Sequence, residues 1–199
     1  MPSSDTEVAN EALTLLGETA ITSLSENTDR ARVLDRLYTP TLDHALRTHD
    51  WNFARMRAVL GRLAAVPEFG YAYMYQLPQD PLCLRVLTTN LRADEPWEIE
   101  TYITADLTAQ YRVILTDATA LEIRFIARVT SPTLWDPLFA DALVHELARR
   151  AGYPITRNAT LVAELRGEAE ARWRQARSVD GQESRPLKQL LSTSFTEIR

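Results

Sequence analysis

The stretch that decides the fold runs from residue 71 to residue 87 and reads YAYMYQLPQDPLCLRVL. Tyr71, Tyr73 and Tyr75 alternate along the chain, so an extended backbone places their three rings on one face. Pro78 and Pro81 then exclude a helix and predict a turn. The residues after this turn alternate again, which predicts a half-buried strand. The pattern is helical upstream and β downstream, so we expect the tyrosines to pack a sheet against helices.

Size and composition are those of an ordinary globular domain. The chain has 199 residues, of which 45% are hydrophobic and 25% are charged, enough to bury a sizeable core. A net charge of −5 argues against a dedicated nucleic-acid-binding protein. The single cysteine, Cys83, excludes an intramolecular disulfide. We see no signal peptide and no membrane-spanning apolar run, so we expect synthesis in the cytoplasm and no membrane partner.

Helices are predicted at both ends of the chain. An apolar stripe predicts a first helix over residues 5–16, which Gly17 ends. A second helical pattern covers residues 29–48 and contains Pro40, where we expect a kink or two abutting helices. Helical periodicity returns after residue 130, with a third helix that begins near Pro132 and that Gly152 and Pro154 end. A fourth helix is predicted over about 157–178.

The middle of the chain is predicted to be rich in β-structure. Residues 54–60 favour a strand over a helix, and further strands are predicted over residues 82–88, 97–103, 110–115 and 121–128. The last of these is the clearest, because Leu121, Ile123 and Phe125 alternate with charged residues. Short polar connectors separate these strands, which is typical of an antiparallel sheet.

The predicted fold class is therefore α+β: a helical bundle frame with an inserted small antiparallel β-sheet and a flexible C-terminal tail. Residues 1–54 and 131–179 would form the frame, and residues from about 55 to 130 the insertion. Together they would make one domain over residues 1–179. Residues 180–199 lack sustained periodicity and are predicted to be the tail.

No motif in the sequence indicates catalysis, a cofactor or a metal site. His145 begins like a helical zinc motif, but the residue four positions later is Arg149. Glu98 and Glu100 lie on one face of a predicted strand and resemble paired hydrolytic carboxylates, although a solvated strand face is the favoured interpretation. Cys83 lacks a histidine nearby in the sequence that would activate it. We therefore expect no catalytic residue, no cofactor and no metal.

Four sequence motifs occur in a fixed order: Trp51-Asn52-Phe53-Ala54, then Gly70-Tyr71-Ala72-Tyr73 with Tyr75-Gln76-Leu77-Pro78 and Asp80, then Cys83-Leu84-Arg85-Val86, and Pro137-Leu138-Phe139-Ala140-Asp141-Ala142-Leu143. This series resembles the tail tubular protein A family of short-tailed bacteriophages, which also occurs in prophages. The resemblance covers roughly residues 5–178. Pro81, between Asp80 and Leu82, departs from the family pattern.

The resemblance implies a structural head–tail adaptor and no enzyme. Members of this family form a dodecameric ring between the portal and the tail nozzle of the virion, and the ring extends the DNA channel. The implied partners are the portal protein, the tail nozzle protein, further copies of the chain, and double-stranded DNA that passes without sequence-specific binding. The implied location is the tail or neck of the virion, after assembly in the host cytoplasm.

Two other classes of protein stay open. A virion-associated cell-wall hydrolase would need a carboxylate in a cleft, for which Glu98, Glu100 and Glu146 are the candidates. A bacterial α+β scaffolding protein would need no such group. Neighbouring portal and nozzle genes would separate the adaptor from both alternatives.

Predicted protein-interface residues lie towards the C-terminal end. Arg172 and Arg174 belong to a row of arginines on the fourth helix that could meet phosphate. The interleaved glutamates favour an ion-paired or subunit-facing surface instead. In the tail, Leu187, Leu190 and Leu191 have the spacing of one short amphipathic helix face, and Phe195 follows them. A helix this short is marginal alone in water, so we expect it to dock on an adjacent subunit or the portal. A frayed terminus without a role is the alternative.

Overall fold

The computed structural model describes residues 2–104 and 107–183 and confirms the predicted α+β class. Four helices, α1 (Asp5–Leu15), α2 (Asp29–Thr48), α3 (Pro137–Thr156) and α4 (Ala159–Gln182), enclose six strands in the chain order. The strands are β1 (Arg55–Leu60), β2 (Tyr73–Gln76), β3 (Cys83–Thr89), β4 (Trp97–Ile103), β5 (Gln110–Thr116) and β6 (Leu121–Ala127). Short 3₁₀ turns at Asn52–Ala54 and Pro132–Leu134 connect the two parts.

Polar residues begin each helix as their chemistry predicts. Ser4 and Thr28 cap α1 and α2 by accepting a backbone N–H bond, and Asp136 and Asn158 do so for α3 and α4. Such caps satisfy backbone donors that the first turn of a helix leaves without a partner. α2 continues unbroken through Pro40, so the option of two abutting helices was wrong.

The predicted end of the third helix was also wrong. α3 continues through Gly152 and Pro154 and ends where Arg157 adopts a left-handed conformation with φ of 57°. Gly152 is there for packing, because a Cβ at this position would lie 2.9 Å from the Cγ2 atom of Val162 on α4. The glycine therefore permits the close approach of α3 and α4.

The helical core is centred on α3, which packs against the other three helices. Aromatic rings fill its middle: the Phe139 ring makes an edge contact with Trp51 at 4.9 Å and with Trp173 at 5.6 Å between centroids. The Trp51 indole N–H donates to the backbone oxygen of Ala45 at 2.9 Å. This hydrogen bond satisfies the polar end of a fully buried side chain.

The strands form two antiparallel sheets, where the sequence predicted one. The first sheet has the order β1-β6-β3 and the second sheet the order β2-β5-β4. An inter-sheet core joins them, to which Phe125 of β6 and Ile114 of β5 contribute. The opposite face of the first sheet lies against the helices, where Ile126 joins the helical core. The layers are therefore helices, first sheet, second sheet.

Three contacts of α2 fix the first sheet to the helices. The Asp43 carboxylate accepts hydrogen bonds from both Nε and Nη2 of Arg128, with a distance of 2.7 Å from Nε to Oδ1. Asp50, just after α2, pairs with Arg85 of β3. Arg47 donates to the backbone oxygen of the residue before Arg85, Leu84. A partly buried bidentate pair such as that of Asp43 with Arg128 fixes orientation as well as contributing energy.

Tyr73 and Tyr75 pack between the two sheets and not between sheet and helices, and Tyr71 packs on the opposite face of the second sheet, so both the predicted location and the predicted single face were wrong. Tyr75 is 1% exposed in the inter-sheet core, and its hydroxyl donates to the backbone oxygen of Ala118 at 2.7 Å. Tyr73 packs at the margin of the same core, with the Arg62 guanidinium over its ring. Tyr71 precedes β2 and packs on the outer face of the second sheet.

We predict that Tyr75→Ala lowers the free energy of unfolding by about 3–5 kcal/mol, because it removes a large ring from the inter-sheet core. Tyr75→Phe should cost only about 1 kcal/mol, through the lost hydrogen bond to Ala118. Urea unfolding followed by circular dichroism measures both. The matched control is Phe69→Ala, since this ring is 85% exposed and its loss should change stability little. Equal losses for Tyr75→Ala and Phe69→Ala would contradict the assignment of the core.

Candidate interaction surfaces

A groove with a volume of about 770 Å³ lies on the outer face of the second sheet. Its floor is apolar, since Met74, Val113 and Leu115 lie there as a small buried cluster. The chain segment 61–72 folds along one side, where the Leu63 backbone N–H bonds to the Met74 oxygen at 2.9 Å. We call this feature the acidic groove, for the reason given next.

Four carboxylates line the acidic groove: Glu68, Glu98, Glu100 and Asp117. Glu98 and Glu100 point to the same side of β4 because they are two residues apart in a strand. Among the described lining residues there is no arginine or lysine. The pKa of Tyr71, which lies beside these carboxylates, is raised. Partial burial is the largest cause, and the negative charges of Glu98, Asp117 and Glu100 add to it. The groove is therefore a region of negative potential over an apolar floor.

Exposed apolar side chains surround this groove. Phe69 is 85% exposed and Ile103 is 45% exposed, both at its margin. β4 forms the adjacent sheet edge: in the part of the chain that the structure describes, it pairs with β5 alone, and its residues are nearly all exposed. An open edge with apolar neighbours is a common site of association with another chain.

A second surface, the basic face, lies on the helix-facing side of the first sheet, at the end of β1 and β6 that the helices leave exposed. Arg57 of β1 is the direct cross-strand partner of Arg124 of β6, and Arg55 lies two residues before Arg57 on the same side. Arg57 and Arg124 border a depression of about 410 Å³ with Val59, which is 77% exposed, and with one carboxylate, Glu122. Directly opposed like charges destabilise a sheet. Within residues 2–104 and 107–183, no ion pair of Arg55, Arg57 or Arg124 relieves that cost.

The two arginines predicted at an interface lie on the exposed side of α4. The Nε atom of Arg172 is 3.2 Å from Oδ2 of Asp141 on α3, so its ion pair runs between helices rather than to Glu168. The Nε atom of Arg174 donates to the backbone oxygen of Glu170 at 3.4 Å. Both side chains keep exposed surface, and their interface role stays a prediction.

The start of the predicted tail is helical and anchored, which the sequence did not predict. α4 ends at Gln182, and Asp180 is buried against the connection between α2 and β1. Its carboxylate accepts the Asn52 backbone N–H at 2.9 Å and lies 2.9 Å from Nε2 of His49. The Asn52 side chain donates in turn to the Asp180 backbone oxygen at 2.6 Å. The predicted interface residues Leu187, Leu190, Leu191 and Phe195 lie outside the described residues.

The hydrolase candidates do not form one site. Glu98 and Glu100 share the acidic groove, but Glu146 lies on α3, where Arg149 and Arg150 donate to its carboxylate. Burial alone would raise the pKa of Glu146, and the two arginines outweigh it, so its pKa lies below the ordinary value. Glu146 is therefore held as an anion, which is the wrong state for a general acid at neutral pH.

Cys83 is buried, and burial raises the pKa of its thiol to about 11. A thiol with such a pKa is a poor nucleophile at neutral pH. Across the described ranges 2–104 and 107–183, no group of three or more His, Cys, Asp or Glu side chains is arranged to hold a metal ion. None of the helices described combines the length and the apolar character that a membrane crossing requires.

No family model matches this chain, and no curated protein matches its sequence. The likeness to the tail tubular protein A family therefore stays a prediction from the four sequence motifs.

Asp180→Ala should lower the free energy of unfolding by about 1–3 kcal/mol, because it leaves the Asn52 N–H and the His49 ring without their buried acceptor. Thermal or urea unfolding of the purified protein measures this loss. Arg174→Ala, on the exposed side of the same helix, is the matched control and should be nearly neutral. An Asp180→Ala variant as stable as Arg174→Ala would show that the end of α4 is not anchored.

Proposed function

We propose that this protein is a structural head–tail adaptor of a short-tailed bacteriophage or prophage particle. Copies of it would form a ring, expected to be a dodecamer, between the portal and the tail nozzle. The observation that carries this proposal is the exposed surface of the second sheet, where an acidic, apolar-floored groove meets the open edge of β4. Such a surface suits stable contact with another protein better than it suits a solitary domain.

The layered arrangement fits the work of an adaptor. The helical frame packs as one core, and the ion pairs of Asp43 and Asp50 fix the first sheet to it. The second sheet, carried on the first, presents its groove and its open edge away from the helices. A partner that contacts the second sheet therefore meets a preorganised surface, which lowers the entropy cost of association.

The ring would also surround DNA during packaging and ejection. The chain carries a net charge of −5, and a negative surface repels the phosphate backbone and limits non-specific adhesion. Double-stranded DNA would therefore pass through the channel without sequence-specific binding, as the resemblance implies.

The C-terminal segment is proposed to attach the ring to its neighbours. Asp180 fixes the end of α4, so the last described residues before this segment have a defined position. Leu187, Leu190, Leu191 and Phe195 would then dock on an adjacent subunit or on the portal by helix-in-groove recognition. Arg172 and Arg174, on the exposed side of α4, would contact the same partner.

A second candidate function is a cell-wall hydrolase, and it has one observation in its favour. Glu98 and Glu100 lie side by side in the acidic groove, where a polymer chain could lie along the apolar floor. Hydrolysis of a glycosidic bond would require one of these carboxyl groups to be protonated and to act as the general acid.

The adaptor proposal predicts rings. The purified protein, mixed with the portal protein of the same particle, should give a ring stacked on one end of the portal in electron micrographs. Deletion of residues 184–199 should leave the fold and the melting temperature nearly unchanged but abolish this attachment. A protein that stays free of the portal at every concentration would contradict the proposal and favour a bacterial scaffolding protein.

The hydrolase alternative predicts activity that depends on the groove. We expect the pure protein to release no products from purified cell walls, and we expect Glu98→Gln and Glu100→Gln to assemble as the parent does. Release of soluble wall fragments by the parent protein, lost in either variant, would replace the adaptor proposal by the enzyme. Glu146→Gln is the control, since Glu146 lies on α3 and outside the groove.

A further inference from the structure

We propose that the basic face of one copy of this protein docks into the acidic groove of the next copy. This inference rests on the proposed ring, for which it supplies the contact between subunits. The two surfaces differ in charge as such a contact requires: the basic face carries Arg55, Arg57 and Arg124 with one glutamate, and four carboxylates line the groove. Complementary charges of this kind set specificity and the rate of encounter.

Docking would also remove a cost that the isolated chain carries. Arg57 and Arg124 oppose each other directly across β1 and β6, and no ion pair among the described residues neutralises either. Glu98 and Glu100 place two negative charges on one side of β4, two residues apart along the strand. Each pair of like charges is the natural partner of the other, because guanidinium groups form bidentate bonds with carboxylates.

Apolar contacts complete the match. Val59 is 77% exposed beside Arg57, and the floor of the groove is the cluster of Met74, Val113 and Leu115. Phe69, 85% exposed, lies at the margin of the groove. A central apolar contact surrounded by charged pairs is the usual anatomy of a stable protein interface.

The two surfaces lie on opposite sides of the sheet stack, and this decides the kind of assembly. Arg124 points away from the inter-sheet core because its neighbour Phe125 points into it, and Val113 points away because Ile114 points in. One copy can therefore bind a neighbour on each side at once. Contacts between two different surfaces are heterologous, and they close into a ring when the rotation between copies permits.

A charge exchange tests the contact. Arg57→Glu with Arg124→Glu makes both surfaces acidic, and Glu98→Arg with Glu100→Arg places arginines opposite the arginines of the basic face and removes the net negative charge of the groove. Either double variant alone should self-associate at least about tenfold more weakly than the parent protein, as measured by sedimentation velocity. An equimolar mixture of the two should recover association, because every contact in an alternating ring again joins opposite charges.

The matched control is Arg36→Glu with Arg166→Glu, which changes net charge as the first variant does but on the exposed sides of α2 and α4. It should associate like the parent. Association of the parent and of the recovered mixture should weaken as the salt concentration rises towards about 1 M, where the Debye screening length falls to about 3 Å. Unaltered association of both charge variants, or no recovery in the mixture, would overturn the inference.

Cysteine cross-linking detects the contact even if it is weak in solution. Cys83 is buried, so Val59→Cys with Phe69→Cys supplies the two accessible thiols, one on each surface. A short bismaleimide should give a ladder of dimers, trimers and larger species from the double variant, and no ladder from either single variant. Efficient dimers from one single variant would indicate a symmetric contact instead and would overturn the inference.

Other occupants of these surfaces give other results. Residues 184–199 contain Arg185, Lys188 and Arg199 against Glu197 and could enter the groove, in which case their deletion would abolish the ladder. If double-stranded DNA occupies the basic face, the protein should bind DNA and Arg57→Glu with Arg124→Glu should abolish that binding. The cross-linked ladder should persist in the same variant. Either result would contradict the docking of a second copy.

The outcomes separate this inference from the proposed function. If rings form on the portal and the charge variants do not affect them, the adaptor proposal is retained and the proposed contact between subunits is rejected. If self-association responds to the charge variants as expected but the protein never binds the portal, the adaptor proposal is rejected and the contact between subunits is retained.

Discussion

The second half of strand β6, from Phe125 to Ala127, is buried on both of its faces, and the rest of the structure depends on that constraint. Phe125 and Ile123 point into the inter-sheet core, while Ile126 points into the helical core. The strand also pairs with β1 on one side and β3 on the other. Helices and sheets therefore share one element whose removal would expose both cores. The same alternation carries Arg124 outward beyond the helices, so the order of residues that buries the core also places charge on the outer face.

Much of this fold follows from periodicity in the sequence, because burial on one side imposes a period of two on strands and of about 3.6 on helices. What periodicity does not contain is the pairing of strands. Periodicity predicted the strands, but it predicted one sheet where the structure has two. It also grouped Ile126 with the polar residues of β6, because the helices that cover Ile126 are distant in the sequence. The errors at Gly152 and Pro154 have a tertiary cause as well, since α4 packs on that turn and Arg157 ends it.

The candidate surfaces were less predictable than the fold. Glu98 and Glu100 were identified from their spacing alone, because residues two positions apart in a strand lie on the same face. Asp117 joins them only through the pairing of β4 with β5, and the opposition of Arg57 to Arg124 exists only in the register of β1 with β6. Alternating arginines at residues 55 and 57 were a visible signal, but their partner strand was not. Asp180 was missed because its partners lie about 130 positions earlier in the chain.

The central claim is that a β unit held on a helical frame mediates assembly through its two outer faces. Hydrogen exchange, followed by mass spectrometry in the free and the assembled protein, tests it most directly. Backbone amides in residues 55–59 and 97–103 should exchange more slowly after assembly, because contact with a neighbour excludes water and covers the edge of β4. Slowed exchange confined to α4, with unchanged exchange in both β segments, would contradict the account and place the contact on the helical frame.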